Sequence, residues 1–342
     1  MDLNGCLNPE ATRALVQAVR MLETASLDDK SSSRVLLTTH VNPDGDAVGS
    51  TIALAHALRD RGTTVDVVLA DPPPVYCKFL PGVEWITPCI PSMPPDLAIV
   101  CDAAGIDRIG PVDHAVKVAR QTIEIDHHGV ARPFGDVRVV DDNCAATAEL
   151  VYYLLTALKA PITPAIASSL MMGLVTDTGS FRFTNTNTRA FRLAATLMEA
   201  GADLSRIMDQ VYDQKTVSSL RLLERAISHL RIANSFASAT LSRHDFQQTG
   251  ATQGEAEGVI GHLRSLKGVQ VAAVLRETGP AEARVSLRGR PGYNVAEIAA
   301  LMGGGGHAAA AGCTIYLPLD EAERRLRETV YKFLDQIKKS VS

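Results

Sequence analysis

Hydrophobic residues in the first half of the chain fall in short continuous runs separated by amphipathic stretches. That is the texture of buried parallel strands alternating with helices. Runs at 34–39, 65–69, 97–101 and 121–125 read as strands. Helical spacing predicts helices over about 47–61, 145–158 and 164–173, the first ended by Gly62. Asn8 and Pro9 suit the start of an Ala/Leu-rich helix over 8–25, and Pro72–Pro74 mark a crossing. Residues 188–232 are helical in pattern throughout, without a strand signal. From 236 the pattern turns β-rich, with strands at 236–241, 269–276, 284–288 and 313–317, a helix at 294–302 and a last helix over 319–339. The expected architecture is α/β: a doubly wound parallel sheet over 15–190, a helical connector over 191–232, and a smaller α/β domain over 233–340.

Length and composition agree with two globular cores: 342 residues, 46% hydrophobic. A net charge of −4 argues against a general nucleic-acid coat, but the charge is uneven. From residue 236 onward 13 Lys+Arg face 11 Asp+Glu, giving +2, while the rest of the chain carries 21 against 27, giving −6. An acidic first part suits cations and a mildly basic second part suits a small anion. Six cysteines without a CxxC pair read as thiols of a reducing cytosol. No signal peptide or apolar stretch of about 20 residues is visible, so the expected location is cytoplasmic, with no membrane partner.

Three of these strand-like runs of the first half end in Asp or His. His40, Asp44 and Asp46 follow the first, Asp102 the third, and Asp126, His127 and His128 the fourth. Asp177 follows Gly173–Thr176, which is expected to be another strand end. Asp44-Gly45-Asp46 alone would pass for a turn, but together these residues predict one rim crowded with carboxylates. Carboxylates at close range repel, and divalent cations relieve the repulsion. Oxygen and imidazole donors without thiolate favour Mn²⁺ or Mg²⁺ over structural zinc, and the number of donors suits two metals sharing a carboxylate.

Gly303–Gly306 precede His307, and the small residues Ala308–Ala311 follow, so backbone amides there could approach an anion closely. On the strand before them, Arg284, Ser286 and Arg288 share one face. Arg288 is assigned to phosphate contact and Arg284 to solvated surface. Trp85, the single tryptophan, reads as a packing residue.

These segments resemble the DHH family of phosphoesterases, in particular its DHH–DHHA1 nanoRNase/pAp-phosphatase group. The match rests on Thr39–Ser50, Val100–Asp102, Ile125–His128 and Gly173–Phe183, with Gly303–Gly312 as the DHHA1 signature. It covers about residues 15–340 and departs from the pattern mildly at Ala103-Ala104, where relatives often carry more polar residues. The resemblance implies that His40 and Asp44 hold one Mn²⁺, that Asp46, His127 and Asp177 hold the other, and that Asp102 bridges. It implies that Asp126 orients a ligand histidine, and that His128 contacts the scissile phosphate or protonates the leaving oxygen. Arg288, Ser286, Gly304, Gly305, Gly306 and His307 would bind the far part of the substrate. The implied activity is a Mn²⁺-dependent phosphohydrolase, with two ions per subunit and Mg²⁺ as a substitute. Its substrates would be short oligoribonucleotides and 3′-phosphoadenosine-5′-phosphate, and aromatic residues amounting to only 5% agree with short rather than long strands. The alternatives weighed are a phosphodiesterase for cyclic dinucleotides or pApA, a pyrophosphatase, and a non-catalytic RNA-binding module. A homodimer through apolar helix faces of the first domain is expected by analogy.

Overall fold

A computed structural model describes residues 6–27, 33–129, 133–306 and 308–341, with the side chains of 25–27, 257, 340 and 341 left aside. The chain forms two compact units, Met1–Gln214 and Lys215–Ser342.

The first unit contains α1 (Pro9–Leu27), β1 (Arg34–Thr39), α2 (Gly45–Asp60), β2 (Thr64–Val68), β3 (Ile86–Thr87), β4 (Leu97–Cys101) and α3 (Asp113–Lys117). There follow β5 (Gln121–Asp126), β6 (Val137–Val140), α4 (Thr147–Ala157), α5 (Pro164–Asp177), α6 (Thr188–Glu199) and α7 (Leu204–Tyr212). Its sheet has the order β3-β2-β1-β4-β5-β6, and every pairing is parallel. Strands buried on both faces must be apolar at nearly every position, which is why β1 and β4 show continuous runs instead of alternation. One face carries Val35, Leu37, Ile99, Ile123 and Ile125 against α1, α2, α4 and α5. The other face, with Leu36, Ala98 and Val100, is covered by Ile109, Val112 and Val116 of the α3 region. Each fully buried leucine or isoleucine contributes about 1.5–3 kcal/mol. The order reverses between β1 and β4, and crevices at such switch points lie beyond the carboxyl ends of the strands.

Two features shape the rim. Helix α1 runs along edge strand β6, tied there by Asn8, whose backbone N–H donates to Asp141 Oδ2 (2.7 Å) and whose Nδ2 donates to Val140 O (3.3 Å). That contact covers an otherwise open sheet edge. Helices α2 and α5 approach so closely that a Cβ on Gly49 would lie 2.2 Å from Ser169 O, and one on Gly173 2.4 Å from Asp46 Oδ1. One expectation needs correction: Gly173–Thr176 is not a strand but the last turn of α5, and Asp177 is that helix's final residue. A helix apolar on all sides has no periodicity to distinguish it from a buried strand. Thr163 caps its start by accepting from Ile166 N, followed by Pro164 in the first turn.

The second unit contains α8 (Val217–Ser228), β7 (Arg231–Ala233), β8 (Phe236–Leu241), α9 (Arg243–Thr249), α10 (Val259–Ser265), β9 (Val271–Gly279), β10 (Glu282–Gly289), α11 (Val295–Ala300), β11 (Gly305–Gly306), β12 (Ala310–Ile315) and α12 (Leu319–Val341). The sheet order is β11-β12-β10-β9-β8-β7, with β8–β9 parallel and the other pairs antiparallel. Arg231–Ala233, within and just beyond a stretch expected to be wholly helical, pairs as the short edge strand β7. Alternation works here as it should: Ala283, Val285 and Leu287 of β10 pack with α11 and α12, while Arg284, Ser286 and Arg288 take the opposite face. Helices α8 and α10 cover that opposite face over β8 and β9.

Calorimetry tests the α2–α5 contact. Gly49→Ala should lower the unfolding temperature of the first unit, by an overpacking cost of about 1–3 kcal/mol. Gly261→Ala, where a Cβ in α10 meets nothing within 4 Å, should instead stabilise the second unit, by about 0.5–1 kcal/mol.

Candidate metal centre

The strand ends of the switch point bring the acidic and imidazole groups together. Beyond β1, His40 donates from Nδ1 to Val41 O (2.8 Å), which leaves Nε2 bare and 3.8 Å from Asp102 Oδ2. Asp44 is the N-cap of α2, its Oδ1 accepting from Asp46 N and Ala47 N, each at 3.0 Å. Asp102 follows β4 in the left-handed region (φ 57°), a conformation Asp tolerates better than most residues. Asp126 ends β5, and His127 and His128 follow it.

Asp46, on the second residue of α2, is fully buried, and its carboxylate meets the start of α4. Oδ2 accepts from Thr147 N (2.6 Å); Oδ1 accepts from Ala148 N (2.9 Å) and Ser50 Oγ (3.1 Å). Helix α4 has Ala146 as its own N-cap residue and no side-chain cap, so Asp46 does this work from 101 positions away. The same Thr147 donates from Oγ1 to Asp102 Oδ1 (2.9 Å). One helix start thus holds two carboxylates.

His127 lies at the centre. Its Nδ1 points to Cys144 O at 3.4 Å. Its Nε2 is buried and has no hydrogen-bond partner, yet stands 3.6 Å from Asp102 Oδ1 and 3.5 Å from Asp177 Oδ2. Among the described residues, ligand atoms cluster within 4.8 Å in three groups: His40 with Asp44 and Asp102; Asp46 with His127 and Asp177; and Asp102 with His127 and His128. Asp102 and His127 each belong to two groups. An orphaned imidazole nitrogen facing carboxylate oxygens at 3.5–3.6 Å fits a cation between them better than a direct hydrogen bond.

Asp126 sits differently. Its Oδ1 accepts from His128 N (3.0 Å) and His128 Nδ1 (2.5 Å), and its Oδ2 from Ala104 N (2.6 Å). Burial works against its charge, but the His128 contacts outweigh burial and hold the carboxyl below its ordinary range. The departure at Ala103-Ala104 therefore has a use that needs only a backbone N–H.

By themselves the remaining groups repel. Burial, then the charges of Asp102 and Asp177, push Asp46 well above the usual carboxylate range. Burial and neighbouring carboxylates, Asp44 first, do the same to Asp102. His127 responds oppositely: burial disfavours its charged form, but Asp177, Asp102, Asp46 and Asp126 outweigh that and raise it to about 9.

In the second unit, the register places Ser286 opposite Gly312, Arg288 opposite Ala310, and Gly305 opposite Gly312. The β12 partners of Ser286 and Arg288 are thus both small. A Cβ on Gly304 would lie 2.2 Å from Gly312 O, and one on Gly306 2.6 Å from Ala310 O, so both glycines are required for close backbone contact; Gly305 has open space. His307 lies outside the described residues. Arg284 is exposed, as expected for a solvated charge. Trp85 packs between the Arg59 guanidinium (4.1 Å) and the His56 ring (4.6 Å). No helix among the described residues is long and apolar enough to cross a membrane.

Residue-by-residue reasoning missed Ser50, Thr147 and Asn185, which touch the carboxylates without bearing charge. One signal was present: Ala145-Ala146 before a helix supplies no capping oxygen, so an acceptor had to come from elsewhere.

A parallel sheet carrying these carboxylates and imidazoles at its switch point is the architecture of a metal-dependent phosphoesterase. The chain belongs to the DHH family: residues 34–174 match the DHH family N-terminal domain and residues 233–338 the DHHA1 domain. It is 36% identical over 298 residues to the Thermus thermophilus protein named bifunctional oligoribonuclease and PAP phosphatase NrnA, covering 86% of this chain and 89% of that one. The Bacillus subtilis protein of the same name is 28% identical over 312 residues, covering 90% and 96%. A Bacteroides fragilis exopolyphosphatase-related protein has the same fold, with a TM-score of 0.89 and 25% identity over 96% of this chain and 98% of that one.

The raised His127 makes proton release measurable. An imidazole protonated below about 9 must lose its proton to become a ligand. Titrating the protein with Mn²⁺ at pH 7 in buffers of different ionisation enthalpy should give different heats, and affinity should rise with pH toward 9. Equal heats in both buffers would contradict this reading.

Proposed function

We propose that this protein is a two-metal phosphohydrolase that degrades short oligoribonucleotides to mononucleotides and removes a phosphate from 3′-phosphoadenosine-5′-phosphate to give AMP. The observation that carries the reading is the orphaned Nε2 of His127 among Asp102, Asp177 and Asp46. The names of the Thermus and Bacillus relatives support the substrates.

His40 and Asp44 would hold one divalent cation, Asp46, His127 and Asp177 the other, with Asp102 shared. Oxygen and imidazole donors without thiolate suit Mn²⁺, with Mg²⁺ as a substitute. When bound, such cations supply a water of lowered pKa and neutralise charge building on a phosphoryl group.

The chain's own residues then have separable tasks. Hydrolysis adds a water oxygen to phosphorus and breaks a P–O ester bond, and the leaving oxygen needs a proton. His128 is assigned to deliver it, with Asp126 holding Nδ1 and so fixing the ring. Asp126 acts through His128 and is a positioning residue. Thr147 and Ala148 hold Asp46 and Asp102 so that their oxygens do not drift apart under mutual repulsion. In the second unit Arg288, Ser286 and the turn of Gly304, Gly305, Gly306 and His307 would bind the non-reacting part of the substrate. Binding energy there orients the scissile bond without entering the chemical step.

Asp102→Ala should lower turnover of a 5′-labelled dinucleotide in Mn²⁺ by about a thousandfold or more, equivalent to roughly 4 kcal/mol of barrier. Unchanged turnover would remove the shared-ligand assignment. Release of phosphate from 3′-phosphoadenosine-5′-phosphate should fall in parallel. Arg288→Ala should separate from this by raising KM about ten- to a hundredfold, the loss of one charge-assisted hydrogen bond, with kcat nearly kept. A fall in kcat at constant KM would move Arg288 out of the binding role.

A further inference from the structure

We propose that Asn185 is the positioning residue for Asp177, and therefore sets the affinity of one of the two metal positions; this rests on the dinuclear reading above. Asp177 needs such help because it ends α5, where outward-pointing carbonyls disfavour negative charge. Asn185 answers both the carbonyl and the carboxylate. Its Nδ2 lies 3.1 Å from Asp177 O, 3.2 Å from Asp177 Oδ2 and 2.9 Å from Ala145 O. All three are acceptors, so the nitrogen must face them; a flipped amide would set oxygen against oxygen on every side.

The intervening chain is built to bring Asn185 back. Gly179, Ser180 and Phe181 are consecutive left-handed residues, with φ of 55°, 58° and 64°. Such strain persists only where surrounding contacts enforce it. Thr178 provides them: its Oγ1 accepts from Phe181 N, and its carbonyl from Arg182 N and Phe183 N, each at 3.0 Å. Ser180 Oγ donates to Tyr212 Oη at 2.7 Å, pinning the loop to α7. Asn187, two residues on, is spent capping α6 through Ala190 N, so Asn185 is not a helix cap.

The contact to Ala145 O adds reach. Ala145 lies two residues before Thr147, whose amide and hydroxyl hold Asp46 and Asp102. Asn185 therefore cross-links the segment bearing Asp177 to the segment holding the other two carboxylates. The oxygen it holds, Asp177 Oδ2, is the one 3.5 Å from the bare nitrogen of His127. Its own Oδ1 is buried without a hydrogen-bond partner, so the amide is held through its nitrogen.

The test is Mn²⁺ binding to the intact chain, followed by the electron paramagnetic resonance signal of free Mn²⁺ and by calorimetry. Wild type should take up two ions. Asn185→Leu keeps the approximate shape and removes the donor; Asn185→Ala removes shape and donor. Each should leave one position at wild-type affinity and weaken the other about ten- to a hundredfold, as for partners of metal ligands generally. Asp177→Asn should weaken that same position. Wild-type affinity at both positions in the folded variants, equal weakening of both, or failure of both variants to fold at 4 °C would each overturn the proposal. A wild-type protein that binds fewer than two ions would instead sink the dinuclear reading itself.

Discussion

Buried negative charge in a confined space is the constraint around which the first unit is organised. Asp46, Asp102 and Asp126 are almost wholly buried, and Asp44 and Asp177 stand beside them. Ionised carboxylates in such a place must be matched by donors or cations. The protein supplies donors unevenly. Asp126 is paired on both oxygens with groups of the protein, whereas His127 keeps a bare nitrogen aimed at two others. Asp46 is likewise held on both oxygens, by Thr147 N, Ala148 N and Ser50 Oγ, so it is the unpartnered nitrogen of His127 that marks where the protein leaves capacity for metal.

The donors come from the ends of secondary elements. The start of α4 presents its free amides to Asp46 and the Thr147 hydroxyl to Asp102. Behind it, the fully buried Glu149 accepts from Ala145 N and Tyr153 Oη, with Arg189 Nε 2.9 Å away. Arg189 in turn donates to Cys6 O and Asn143 O. The loop before α4 is thus braced from α6 and from the segment preceding α1, far from any reacting group. Rigidity of this kind lets carboxylates keep their spacing against repulsion. Dense α2–α5 packing serves the same end, since Gly173 leaves no room for Asp46 to retreat.

The second unit solves a different problem. Its sheet is covered on one face by α11 and α12, and on the other by α8 and α10 packed on β8 and β9. The strip bearing Ser286 and Arg288 borders Gly312, Ala310 and Gly305, where side chains are small or absent. The binding role proposed for Ser286 and Arg288 draws on this combination of a basic group and small neighbours.

Much of this was legible in the chain itself. The apolar runs placed β1, β4 and β5, and the residues next to them in sequence had to emerge at one rim because parallel strands point the same way. Thus His40, Asp102, Asp126 and His127 could be grouped by local pattern alone, and the glycine run was conspicuous. Short elements such as β3, β6 and β7 left too little pattern to read, and α5 was mistaken at its end because an all-apolar helix resembles a buried strand. Thr147 and Asn185 were invisible for a deeper reason. Their importance lies in hydrogen bonds to groups eight to 101 positions distant, and a hydroxyl or amide has no preference for such a partner until packing puts it there. Sequence alone determined which charges would meet; only the tertiary structure decided which of them are satisfied by the protein and which are left for a metal.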